Sequence, residues 1–174
     1  ETRMGLSQTL EVSLKLPSDV ILEDQKTLNR IKIFSEQLVQ LQELPRATSI
    51  LIPIARMNRL LHDDDPSYER IGSTRQANAE ILEILGAHDP EALGRWISLD
   101  RSKLRISLDS LDLAHRQRAR VLDHVRNTVE TQLPTNWDVT LSGEFAVTHD
   151  WVRDVQATQL RSFPTAFVIV FVLV

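Results

Sequence analysis

The sequence predicts an α+β fold made of two β-α-β units separated by a helical insertion. Leu10, Val12, Leu14 and Leu16 alternate with polar residues, as do Leu104, Ile106 and Leu108, and this period of two is that of half-buried strands. Each alternating stretch is followed by apolar residues at steps of three and four, the spacing of one helix face. Between the two units alternation is absent and short helical patterns with their own start and stop signals take over.

In chain order, a first strand is expected over Thr9–Leu16, closed by Pro17. Asp24 is placed to cap a helix whose apolar face is Leu28, Ile31, Phe34, Leu38 and Leu41 and which runs to Pro45. Ala47–Ile54 is short, rich in β-branched residues and bounded by prolines, and predicts a second strand. These elements form the first unit, residues 1–54. The insertion, residues 55–102, opens with a helix from Ala55 to His62 that Asp63-Asp64-Asp65-Pro66 stops. Ser73 or Thr74 then caps a helix through Leu85 with Gly86 at its end, and Asp89-Pro90-Glu91 opens another turn or two toward Trp96.

The second unit, residues 103–144, has a strand from Lys103 to Asp109 and a helix from Leu113 to Leu133 with Val121, Leu122, Val125, Val129 and Leu133 on one side. Its last strand, Trp137–Leu141, ends at Ser142-Gly143. Two such units in one sheet give the ferredoxin-like arrangement. From Phe145 onward, residues 145–174, Pro164 is the one breaker, and from Ala166 to Val174 every residue is apolar. This stretch predicts a juxtamembrane helix running into the start of a transmembrane helix, for which roughly 20 apolar residues are needed. Arg161 and Phe163 stand at the expected membrane boundary and Pro164 at a hinge. The same apolar run also suits a buried C-terminal strand, because Val, Ile and Phe favour strands.

The chain has 174 residues, 42% hydrophobic and 25% charged, with a net charge of -4. A packed core is expected, and acids and bases are mixed along the chain without the basic footprint of a nucleic-acid binder. With no cysteine, disulfides and thiolate metal sites are excluded.

Candidate chemistry is sparse. His62-Asp63-Asp64-Asp65 is the densest set of potential ligands but lacks the alternating positions, glycine and terminal glutamate of a Ca²⁺ loop, and it suits a solvated turn. His115, His124 and His149 are scattered without metal-ligand spacing. Arg116, Arg118, Arg120 and Arg126 fall around several faces of their helix and are offset by Asp112, Asp123 and Glu130. Ser142-Gly143-Glu144 lacks the GxSxG elbow of a hydrolase, and the five glycines form no phosphate loop. No catalytic, cofactor or metal residue is assigned. Met57, Leu60, Leu61 and Tyr68 suit either a greasy substrate cleft or packing against the sheet.

Several signatures follow this order of elements: Ala55-Arg-Met-Asn-Arg-Leu-Leu-His62, Asp64-Asp-Pro66 with Tyr68, Asp100-Arg-Ser-Lys-Leu-Arg-Ile106, Leu141-Ser-Gly143 and Gln159-Leu-Arg-Ser-Phe163. Together they resemble the second large extracytoplasmic loop of the resistance-nodulation-division (RND) superfamily, in the branch of mycobacterial large membrane proteins and hopanoid-type lipid exporters. The resemblance implies a non-enzymatic porter domain of a proton-driven exporter, facing the periplasm from a bacterial inner membrane. The partners it implies are a hydrophobic or lipid substrate, the membrane, the other transmembrane and porter domains of a parent chain, and a homo-oligomeric neighbour. The proton-relay acids of that family lie in membrane segments, so Asp150 and Asp154 are not assigned to them. An extracytoplasmic sensor or protein-interaction domain is the alternative, and a soluble α+β enzyme the third.

Overall fold

Alternation along two long strands determines how the chain closes. In the computed structural model, which describes residues 8–146, β1 (Gln8–Lys15) lies antiparallel to β3 (Lys103–Ser110) and, on its other side, to β4 (Asp138–Ser142). A short strand, β2 (Arg46–Thr48), pairs antiparallel with the far side of β3, so the order across the sheet is β2-β3-β1-β4. The two β-α-β units therefore interleave: β3 fills the gap between β1 and β2, and β1 fills the gap between β3 and β4. The juxtamembrane helix, the start of the transmembrane helix, Arg161, Phe163 and Pro164 all fall outside the described residues.

The register places apolar residues opposite one another. Leu10 pairs with Leu108, Val12 with Ile106 and Leu14 with Leu104, while Leu141 and Val139 lie across from Val12 and Leu14 on β4. Leu10, Val12, Leu14, Ile106 and Leu108 have no solvent exposure. Two helices cover this face. In α1 (Gln25–Leu38) the residues Leu28, Ile31, Phe34 and Leu38 are wholly buried, and in α5 (His115–Gln132) Val121, Leu122 and Val125 join the same core. At roughly 25 cal/mol per Å² of apolar area removed from water, this shared face is the main stabilising element. The opposite face of the sheet is polar, with Glu11, Ser13, Ser107 and Asp109 half-buried and Lys15, Lys103 and Arg105 exposed.

The expected strand over Ala47–Ile54 is corrected to a three-residue strand followed by a helix, α2 (Leu51–Leu60). Pro53 sits in the first turn, where a missing N–H costs no helical hydrogen bond. Ile50, Ile54 and Asn58 are buried at steps of four, so helical burial outweighs the strand preference of the isoleucines. The helical segment thus begins at Leu51 rather than Ala55. The first helix also stops at Leu38 instead of running to Pro45. The turn that follows sends Leu44 into the core, and its N–H donates to Leu41 O at 3.0 Å.

The insertion continues through a single 3-10 turn at Pro66–Tyr68, α3 (Arg75–His88) and α4 (Pro90–Gly94). Thr74 caps α3, its hydroxyl accepting from Ala77 N at 3.1 Å, and Asp89 caps α4 by accepting from Ala92 N at 2.9 Å. Gly86 lies inside α3 rather than ending it, and a Cβ there would stand 3.2 Å from Leu93 Cδ2, so its absence lets α4 approach. Asn78, fully buried, accepts from Gly72 N at 2.8 Å and donates to Glu23 O at 3.0 Å and Gly72 O at 3.3 Å, which fastens α3 to the entrance of α1. Arg101 adds an ion pair to Glu23, whose carboxylate is nearly buried and would otherwise be uncompensated.

After β4 the chain turns at Gly143 with φ +95, and a Cβ there would lie 2.6 Å from the carbonyl oxygen of Thr9. Gly143→Ala is expected to destabilise the fold by at least about 1 kcal/mol, read as a lower urea midpoint. At Gly94 a Cβ would meet nothing within 4 Å. Gly94→Ala is accordingly expected to leave the midpoint unchanged or raise it.

Candidate functional site

The helices of the insertion enclose an apolar pocket that the periodicity of each one, taken alone, does not announce. α2 contributes Ile50, at its cap, and Pro53; α3 contributes Leu85; α4 contributes Ala92 and Leu93; Trp96 closes the far side. The pocket is small, about 70 Å³, and partly open to solvent, with His88 and Asp89 at the margin and both exposed. Trp96 is half-buried and held in place through its backbone, its carbonyl accepting from Arg105 N at 2.7 Å. A concave, greasy surface with polar groups only at its edge suits a short apolar chain.

The turn beyond Trp96 is shaped by one carboxylate. Asp100 accepts from Ser98 Oγ at 2.5 Å, Ser102 N at 3.1 Å and Ser102 Oγ at 2.8 Å. These bonds to Ser98 and Ser102 lower its pKa from the ordinary 3.8 to about 2. The tip residue, Leu99, is fully exposed.

Met57, Leu60, Leu61 and Tyr68 are not gathered into one cavity. Met57 is half-buried against the core, whereas Leu60 and Leu61 are 54% and 51% exposed on the outer side of α2. Tyr68 stacks on His62 with ring centroids 3.8 Å apart. Leu60 borders an open groove with Ile52, Arg56, Arg59, Asp64 and Glu69. That groove is ionic: Arg59 pairs with Asp64 at 2.8 Å and Glu69 at 3.1 Å, and its pKa is raised first by the bond to Glu69 and then by Asp64.

The His62–Asp65 run forms the expected turn. Asp63 and Asp64 adopt φ of 53 and 61, a left-handed conformation that aspartate tolerates better than most residues. Asp65 accepts from Ser67 N at 2.8 Å, which lowers its pKa, and His62 Nδ1 lies 2.7 Å from Asn58 O. Asn58 is buried and donates to the carbonyls of Tyr68 and Arg70 at 3.0 and 2.9 Å, anchoring the loop. No group of acidic or histidine side chains among the described residues is arranged to hold a metal ion. The arginines of α5 disperse as well. Arg120 pairs with Glu43 at 3.2 Å, Arg126 with Asp123 at 3.6 Å, and Arg118 lies 5.8 Å from the ring centroid of Phe145. Among the described residues no helix is long and apolar enough to cross a membrane.

Sequence reasoning missed the pocket because its lining comes from separate helices whose mutual placement is a tertiary fact. Pro53 was the available signal, since a proline three residues after Ile50 opens a helix as readily as it closes a strand. Compared with known proteins, the chain matches no family model and no curated protein.

Asp100 has its pKa depressed on folding, so its stabilising effect is fully present above 3.8 and is lost as the pH falls toward about 2. Asp100→Ala is therefore expected to lower the urea midpoint at neutral pH. The gap to the parent chain should close between pH 4 and 2 in parallel denaturation series.

Proposed function

We propose that this chain is an extracytoplasmic porter-type domain of a proton-driven RND-type exporter of lipids or other hydrophobic or amphiphilic molecules, itself non-enzymatic. The observation that carries the reading is the apolar pocket of the insertion, beside a sheet of two interleaved β-α-β units. We read the strand order β2-β3-β1-β4, with α1 and α5 over one face, as a ferredoxin-like porter subdomain. On this reading the domain faces the periplasm from a bacterial inner membrane. The apolar run Ala166–Val174 enters the bilayer, and the remaining transmembrane and porter domains belong to the same parent chain. The pocket then receives part of an acyl chain in passage, a task for a small, open, greasy recess without reactive groups.

A second reading, an extracytoplasmic sensor or protein-interaction domain, is favoured by the exposed Leu60, Leu61 and Leu99. Trp96 distinguishes the two. If the pocket takes a hydrophobe, a fatty acid brominated on its chain quenches Trp96 fluorescence saturably. Trp96→Phe then removes that component, and Ala92→Phe, which fills the pocket, weakens binding at least tenfold. Quenching that is absent, or unchanged in both variants, contradicts the transport reading.

A further inference from the structure

The polar face of the sheet carries an electrostatic conflict at one end. Lys15 on β1 stands directly opposite Lys103 on β3, and the neighbouring pair on the same face is Ser13 with Arg105. Like charges facing each other across strands destabilise a sheet. Asp138 lies opposite Lys15 on β4, yet among the described residues Lys15, Lys103 and Arg95 form no ion pair. Glu11 reaches Arg105 at 3.6 Å, and Asp100 is engaged by Ser98 and Ser102.

The same end of the sheet is concave. Residues Trp96–Ser98 run along the edge of β3 beyond the short β2, fixed by Arg105 N donating to Trp96 O at 2.7 Å and Ser98 N donating to Lys103 O at 2.9 Å. This segment raises a wall beside the strand. The resulting hollow is shallow and open to solvent, with a volume of about 210 Å³, and is lined by Ser13, Arg95, Trp96, Ser98, Lys103 and Arg105.

We propose that this hollow is a binding site for a phosphate-type oxyanion. The Arg105 guanidinium has five N–H donors and, among the described residues, a single, long ion pair, so its fork is open to two oxygens. Lys103 and Arg95, which form no ion pair among the described residues, supply positive charge, and the Ser13 hydroxyl supplies a neutral donor. The anion would sit beside the Lys15–Lys103 pair and supply counter-charge, so binding stabilises the fold by mass action. Free phosphate and a phosphate headgroup offer the same chemistry. The site is separate from the apolar pocket, and the inference does not rest on the transport reading.

The test is an amide NMR titration of the 174-residue chain with inorganic phosphate at constant ionic strength, with chloride as the control. Saturable shifts at Ser13, Ser98 and Arg105, a rise in melting temperature with phosphate, and binding at least tenfold weaker in a folded Lys103→Gln/Arg105→Gln variant would support the site. Co-sedimentation with vesicles of phosphatidylglycerol in phosphatidylcholine, above that with pure phosphatidylcholine and lost in the double variant, identifies a headgroup as the source. Phosphate binding without that excess identifies the free anion. Lys15→Glu gives an independent check: it replaces a positive charge beside the hollow with a negative one and should weaken phosphate binding. The proposal is overturned if neither probe binds, if chloride reproduces the shifts, or if binding is unchanged in both variants.

Discussion

The burial of one face of β1 is the constraint from which the rest of the structure follows. Leu10, Val12 and Leu14 are wholly excluded from solvent, and each meets an apolar partner on β3. Because side chains alternate with a period of two, a slip of one residue would turn this row outward and bring Glu11 and Ser13 into the core. The register is therefore fixed by the cost of desolvating those polar groups. Once it is fixed, α1 and α5 have one surface to cover, and the opposite surface remains polar.

That asymmetry assigns different chemistry to different regions. The covered face holds the core, the insertion at the outer edge of β3 holds the apolar pocket, and the uncovered face gathers the charges. Trp96 joins the last two, since it borders both the pocket and the basic hollow while its carbonyl is tied to β3. The insertion is held to the core by buried polar groups with their partners in place, Asn78 between Gly72 and Glu23 and the ion pair of Glu23 with Arg101. Such groups are costly to bury alone, so they define one arrangement of the insertion rather than many.

Much of the fold was legible because it rests on local periodicity. The alternation in β1 and β3 and the three- and four-residue steps of α1 and α5 are dictated by burial of a single face, and the structure follows them within a few residues. The stretch around Ile50, Ile52 and Ile54 misled because β-branched residues at alternate positions also satisfy a helix when the first and third lie one turn apart. Ile50 and Ile54 are buried while Ile52 is 52% exposed, a pattern of steps of four rather than two. The pocket was not legible at all, since α2, α3 and α4 meet only after packing. Of the residues expected to line a cleft, Leu60 and Leu61 fall on the outer side of α2 for the same geometric reason that Ile54 and Asn58 fall on the inner one.

The one-sided sheet is the claim on which both the pocket and the basic hollow depend, and the natural absence of cysteine allows it to be measured cleanly. Single cysteines at Ser13 and Ser107, on the open face, and at Val12 and Ile106, on the covered face, would be labelled with a maleimide under native conditions. The account predicts ready labelling at the two serine positions and protection at the other two until the chain is unfolded. Equal rates at all of them would contradict it.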